Sequence, residues 1–426
     1  MSFLKTFWKK SKQNLLDKFA LLFESKSKLN ITIDIIALLS FFAAFLSIPL
    51  CSFRAGLNKI TWLFTIIFLM AMLISIILFG KIQIDKLSFS IILFVVWTAI
   101  CTFVNIKLHD DIVFTPILLM IFTCLTYIFI SQNKQYRDLF VTVVFLSILI
   151  FTLSYVIFYF DELKSLNFKR LGENFGDIND IAICFGIGFA ICFSLIFNLK
   201  FNIIKVILLF ITLLLLGLCG LSTGSKIFLL IICVTSLFTV IKFMNKKHLK
   251  WYFYILIILG LVLLFILIIN LPAFETIKRR LLDFLNPKSG DQSTSLRLQM
   301  FIDGFYMFLR RPLFGFGSSG YFTSSSIGGC WSHNNFSELL CSYGLIGFIL
   351  FYIPYFLAIR SKKENKNKYL NDVGSILMVT FICCMFTVAL ESQKVFAYSI
   401  PIFYSLYDSN PVVLFDIKKF KKKENV

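Results

Sequence analysis

The chain has 426 residues, 58% of them hydrophobic and 15% charged, with 53 Phe, a mean hydropathy of +0.85 and a formal charge of +19. A soluble domain is about half apolar and about a quarter charged, so the composition excludes a soluble enzyme, a disordered tail and a nucleic-acid binder. What remains is a polytopic membrane protein whose basic excess calls for a membrane explanation rather than an anionic partner.

A helix that crosses a hydrocarbon core of about 30 Å needs about 20 mostly apolar residues. In chain order such runs fall at roughly 31–51, 62–80, 88–106, 112–130, 139–160, 179–197, 201–221, 226–243, 251–271, 335–358, 373–390 and 396–415. The runs are continuous, whereas a barrel strand alternates over about ten residues. Backbone amides at that depth must also be paired within their own helix. The expected fold is therefore all-α, a polytopic bundle of about twelve transmembrane helices. Its last run is interrupted by Tyr407-Asp408-Ser409-Asn410-Pro411. The expected organisation is a basic arm at 1–30, nine spans over 31–271, a large outside loop at 272–334, three spans over 335–415, and a basic tail at 416–426.

Lys and Arg near span ends favour the cytoplasmic side. With the N-terminus inside, 27 of the 42 basic residues fall in the arm, the tail and the inside loops, and eight fall in the short outside loops. That asymmetry puts both termini in the cytoplasm and accounts for most of the net charge. In the arm, Leu4, Phe7 and Trp8 stand among Lys5, Lys9, Lys10 and Lys12. They fit either an interfacial helix on anionic lipid or a plain topology-setting arm. Nine of the 11 Cys lie inside spans as small hydrophobes, and no Cys/His spacing suggests zinc. No metal, no cofactor and no disulfide framework is expected.

Three outside segments carry polar chemistry. The loop 161–180 combines Lys169 and Arg170 with Gly172, Gly176, Asp177, Asn179 and Asp180, and Asp177 or Asn179 could cap the following helix. Leu221-Ser222-Thr223-Gly224-Ser225-Lys226 is a short turn ending in one Lys. A helix that begins there presents free N–H groups beside an ammonium, which suits phosphate oxygens. The alternative is a tight turn whose Lys snorkels to headgroups. The third segment, 272–334, is long enough to suggest a function. Within it Ser293-Thr294-Ser295 offers a cap, and Leu296, Met300, Phe301, Phe305, Phe308 and Leu309 follow at helical spacing, which predicts an amphipathic helix on or between the spans. Arg297 sits in its first turn. Arg310-Arg311, a Gly-rich Pro312–Gly317 stretch and Trp331-Ser332-His333-Asn334-Asn335 complete the segment, with Glu338 one turn beyond. A neutral imidazole can take a proton from a hydroxyl, and fixed cations, Arg above all, can stabilise a departing diphosphate. His333 with a Lys, several Arg and the nearby Glu338, all expected on one membrane face, therefore forms the candidate site.

These residues resemble the O-antigen ligase and polymerase superfamily of bacterial membrane glycosyltransferases, over roughly 165–350. Arg170-Leu171-Gly172-Glu173-Asn174-Phe175-Gly176-Asp177-Ile178-Asn179-Asp180 is similar to the family's Arg-x-x-Gly-Thr-Phe-x-x-Pro-Asn loop, with Ile178 where Pro is usual. Thr223-Gly224-Ser225-Lys226 resembles its Gly-Ser-Arg turn, with Lys for Arg. The run from Arg297 through Pro312, Gly315, Gly317 and Gly320 to His333-Asn334-Asn335 and Tyr343-Gly344-Leu345-Ile346-Gly347 resembles its closing signature.

The resemblance implies a GT-C-like glycosyltransferase fold and a metal-independent, inverting transfer on the periplasmic face of the bacterial inner membrane. The donor and acceptor would be glycans on undecaprenyl diphosphate, with a chain-length regulator and a flippase as further partners. Arg297 and Lys226 would hold the diphosphate, and Arg170 would be a third cation. His333 would act on the acceptor hydroxyl; proximity in the chain, not the resemblance, adds Glu338, with Asn334 and Asp177 as further supporting residues. Three readings stand: a polysaccharide polymerase, which the Thr-Gly-Ser-Lys turn and the closing run resemble more, a ligase to lipid A core, and a flippase or other transporter. Against the last, the spans are nearly free of charge and show no duplicated half.

Overall fold

The computed structural model describes residues 28–50, 57–79, 83–105, 114–133, 136–165, 171, 177–198, 203–246, 292–327, 329–361, 368–387, 390, 393–407 and 413–416, with scattered positions between 252 and 282. The N-terminal arm up to residue 27, the basic tail beyond 416 and Arg170 lie outside the described residues, and the ninth apolar run is described only at scattered positions.

The apolar runs fold as helices, since only a helix satisfies its own backbone along so apolar a sequence. In order these are α1 (Lys28–Leu50), α2 (Leu57–Phe79), α3 (Lys86–Asn105), α4 (Thr115–Gln132), α5 (Arg137–Phe158), the short α6 (Phe160–Ser165), α7 (Ile178–Asn198), α8 (Ile203–Ser222) and α9 (Lys226–Lys246). Within the segment 272–334 lie α10 (Gln292–Arg310) and α11 (Gly320–Ser324), and after it come α12 (Asn335–Ser361), α13 (Lys368–Met385) and α14 (Lys394–Tyr407). Seven of the described helices are long and apolar enough to cross a membrane, and two apolar helices are shorter. The chain is an all-α polytopic membrane protein.

Packing sorts the helices into centre and periphery. The apolar window of α7 is 78% buried and that of α8 only 17%, so α7 is a central helix and α8 turns mostly to lipid. Among its neighbours α7 has α5, α8, α9 and α13. Gly188 admits this, because a Cβ there would lie 2.6 Å from Ile148 Cγ2, and small residues let membrane helices approach closely. A second centre is aromatic. Phe41 of α1 meets Phe68 at 5.2 Å, Phe140 at 4.8 Å and Tyr398 at 5.1 Å, and Phe122 meets Tyr398 at 4.3 Å. In lipid no water is expelled by such contacts, so close and mostly edge-on ring packing carries the association.

Two expectations are corrected. The run 396–415 is not one helix: α14 covers only Lys394–Tyr407, and Val413–Asp416 forms strand β2, antiparallel to β1 (Gln83–Asp85). The charged and Pro-containing Asp408-Ser409-Asn410-Pro411 that follows cannot continue a helix in lipid without cost. The strand pairing puts the C-terminal segment and the α2–α3 connection at one end of the bundle.

The second correction concerns the amphipathic helix. It begins at Gln292, so Ser293-Thr294-Ser295 lie in the first turn rather than ahead of it. Met300 and Met307 are its buried anchors, packed with Tyr321 and Cys341, and a Cβ on Gly304 between them would lie 3.1 Å from the Cβ of Ser337. Leu296, Phe301, Phe305 and Leu309 are all exposed. An outward apolar stripe of that breadth suits lipid and not water.

Candidate functional site

The turn from α8 to α9 is fixed by its own polar side chains. Gly224 has φ +62°, in the left-handed region that favours glycine, and its N–H donates to the Leu221 carbonyl at 3.0 Å. The Thr223 hydroxyl donates to the Gly220 carbonyl at 2.6 Å and accepts from the Ser225 N–H at 3.2 Å. Helix α9 then starts at Lys226, which is half-buried. The ammonium thus stands at a helix N-terminus, where the backbone already favours anions.

The first loop docks on this turn. The Leu171 N–H donates to the Ser222 carbonyl at 3.0 Å, and Ser225 Oγ donates to Asn179 Oδ1 at 3.0 Å. Asp177 caps α7 with Oδ1 on the Asn179 N–H at 2.7 Å. Of the two capping candidates, Asp177 caps, and Asn179 instead reaches the neighbouring turn.

The glycines of the closing run have a structural task. Helix α12 is broken at Gly344, whose φ of 65° and ψ of −170° are not helical. Carbonyls freed by the break need new donors, and the stretch after α10 supplies them. The Phe316 N–H donates to the Cys341 carbonyl at 2.9 Å, and the Gly317 N–H donates to that of Ser342 at 2.8 Å. In return the Leu345 N–H donates to the Pro312 carbonyl at 2.8 Å. The approach leaves no room for side chains: a Cβ on Gly344 would lie 2.3 Å from the Leu313 oxygen, and one on Gly315 2.5 Å from the Cys341 oxygen. Arg311 fastens the same stretch to α3 by donating to the side chain of Asn105, and its guanidinium lies 4.7 Å from the Phe316 ring centroid.

His333 is held between two anchors. It has φ +51°, uncommon for a residue with a Cβ, and such backbone costs on the order of 1 kcal/mol or more. Before it, the Ser332 N–H donates to Glu338 Oε2 at 3.0 Å. After it, Asn334 Oδ1 caps α12 by accepting from Phe336 and Ser337 at 2.9 and 3.1 Å. Glu338 is fully buried and also within 3.4 Å of the Ser342 hydroxyl. Glu338 and Asn334 therefore fix the backbone around His333. Burial pushes the His333 pKa below its ordinary value, the positive charge of Arg297 pushes it the same way, and Asp177 opposes both. His333, Arg297 and Asp177, from three separate segments, thus lie within electrostatic reach of one another.

A fourth segment also joins the site, and sequence reading missed it. The Leu390 N–H donates to Asn335 Oδ1 at 2.8 Å, so the stretch before α14 is tied two residues from His333. With its amide turned so that the nitrogen faces Asp180, the Gln393 side chain donates to both carboxylate oxygens, at 2.9 and 3.0 Å. Lys394 lies 5.3 Å from the Trp62 ring centroid. The only sequence signal here was a lone Lys among the outside residues. Among the described residues no cluster of three or more His, Cys, Asp or Glu could hold a metal ion.

Fold and site together define a multi-pass helical membrane protein with a cationic, histidine-bearing polar site at one end of its bundle. A family model described as O-antigen ligase matches residues 211–352. By that match the stretch 211–352 is similar to this family. The matched stretch contains Lys226, Arg297, His333, Glu338 and the Gly344 break, and leaves out Asp177, Asp180 and Gln393. A search of curated proteins found no match.

Proposed function

We propose that the protein is a membrane glycosyltransferase that joins undecaprenyl-diphosphate-linked oligosaccharide repeat units on the periplasmic face, a polymerase of O-antigen or capsule type. The observation that carries this reading is the convergence of His333, Arg297 and Asp177 beside the Lys226 turn, within or next to the matched domain. In the proposed step the acceptor hydroxyl oxygen bonds to the donor's anomeric carbon from the face opposite the diphosphate. The anomeric carbon–oxygen bond breaks, and undecaprenyl diphosphate leaves with the electron pair. The hydroxyl proton passes to the neutral His333 imidazole, whose lowered pKa keeps it unprotonated. Arg297 would bind the diphosphate through its planar fork and Lys226 as a point charge. Arg170 would add a third cation, and Asp177 would counter the charge that develops on His333.

This reading adopts a GT-C-like bundle of twelve spans in the inner membrane, with both termini cytoplasmic and 272–334 as a periplasmic domain. The antiparallel pairing of β1 with β2 supports it, because that topology puts both strands at the cytoplasmic end. A chain-length regulator and a flippase for the same lipid would be partners, and no metal would be needed. The description of the matched family favours a second reading, transfer of a finished glycan to lipid A core. Deleting the gene and running the surface glycan on a gel separates them. A polymerase predicts loss of the ladder with one repeat still attached, a ligase predicts loss of all attached glycan, and an unchanged pattern overturns both.

A further inference from the structure

We propose that Asp180 and Gln393 form the acceptor's sugar subsite, in which the Asp180 carboxylate accepts hydrogen bonds from hydroxyls of a neutral sugar ring and Gln393 fixes its orientation. The inference rests on the glycosyl-transfer reading above and deepens it.

Position comes first. Asp180 lies in the first turn of α7, and its chain neighbour Asn179 is bonded to Ser225 beside Lys226. On its other side Gln393 belongs to the segment that Leu390 ties to Asn335, two residues after His333. The carboxylate therefore belongs to the same group of segments as the proposed diphosphate cations and the proposed base, within which an acceptor ring must lie if its hydroxyl is to reach the base. Asp177 and Lys394 lie within electrostatic reach of it.

Chemistry comes second. A carboxylate offers about four acceptor positions, and Gln393 uses one on each oxygen. The remainder suits a pair of sugar hydroxyls, which are donors in need of acceptors. Asp180, Gln393 and Lys394 are each half-buried, so the group is held yet reachable.

The experiment uses the full chain in nanodiscs, with the lipid-diphosphate-linked repeat unit extracted from the deletion strain as donor and acceptor, and a synthetic series of that acceptor lacking one hydroxyl at a time. Asp180→Asn should raise the acceptor KM about tenfold, the loss of one hydrogen bond to a charged group, with kcat and donor KM within about twofold. Against one deoxy acceptor, wild type and variant should become equal, because the hydroxyl whose partner was removed is absent. A strut would not give that equality. If Asp180→Asn yields little folded protein, Gln393→Ala leaves the carboxylate in place and should raise the acceptor KM about threefold. Wild-type constants in the variant, or an equal penalty against every acceptor, overturn the subsite. Absence of any transfer by the wild type overturns the glycosyl-transfer reading instead.

Discussion

The two ends of the bundle bury polar groups in opposite ways. At the end marked by the strands, carboxylates are closed off by direct partners in regular helices. Asp34, 1% exposed, accepts from the Tyr136 hydroxyl at 2.5 Å and from Ser75 at 3.2 Å. Asp85 caps α3 through the Ser88 N–H at 2.6 Å and accepts from Tyr127 at 2.8 Å. Lys242 of α9 pairs with Asp372 of α13 at 2.7 Å and donates to Ser375 at 2.9 Å. At the other end the backbone itself is bent. Helix α12 breaks at Gly344, His333 sits at positive φ, and half-buried Lys226, Arg297 and Asp180 line the loops. Satisfied pairs hold helices together, whereas strain that surrounding contacts enforce is the mark of a site that does chemistry.

That contrast can be broken at several points. His333→Ala should cut transfer at least about a hundredfold, the usual worth of a general base, with expression and melting temperature near wild type. Turnover close to wild type would remove His333 from the mechanism. Gly344→Ala should cost about 1–3 kcal/mol, since a Cβ would meet the Leu313 oxygen at 2.3 Å in a backbone that disfavours it. Gly217→Ala, where nothing lies within 4 Å, should be neutral or slightly stabilising. Thermal melting in detergent separates the two, and equal melting would undo the account of the α12 break.

At the strand end, Asp34→Asn should lower stability by about 1–3 kcal/mol through the lost charge-assisted bonds and leave both KM values unchanged. A large KM change would mean that the two ends are not separate. The smallest effect concerns pH. Because Arg297 helps hold the His333 pKa down, Arg297→Gln should let it rise. The acid limb of the residual kcat/KM profile should then move to higher pH, since the neutral base is lost at a higher pH. A limb that stays put would mean that Arg297 acts elsewhere.

Much of the fold was legible because hydropathy is a local property summed over about 20 residues. Among the described residues the apolar runs, the last apart, become helices within five residues of their expected ends, and the segment 272–334 holds the expected helix. The exceptions have causes. At the last run the count of apolar residues outweighed Asp408 and Pro411. In α10 the helical period was right, but a period cannot say which face meets protein and which meets lipid when both faces are apolar. The candidate residues were chosen by type, since Lys, Arg and His in the loops expected outside are few in so apolar a chain. The roles of Glu338 and Asn334 were not, because only the three-dimensional path of the chain shows that they bind backbone on either side of His333.

The sequence by itself determined the solvent, the class of fold and the few polar segments where chemistry could reside, because each depends on composition within a short window. Tertiary structure alone decided that α12 breaks and is mended by the Phe316–Gly317 backbone. It alone paired the C-terminal strand with the α2–α3 connection and set Gln393 against Asp180. These are hydrogen bonds between segments far apart in the chain. Which distant donor answers which acceptor is settled by how the helices pack, and no local pattern records it.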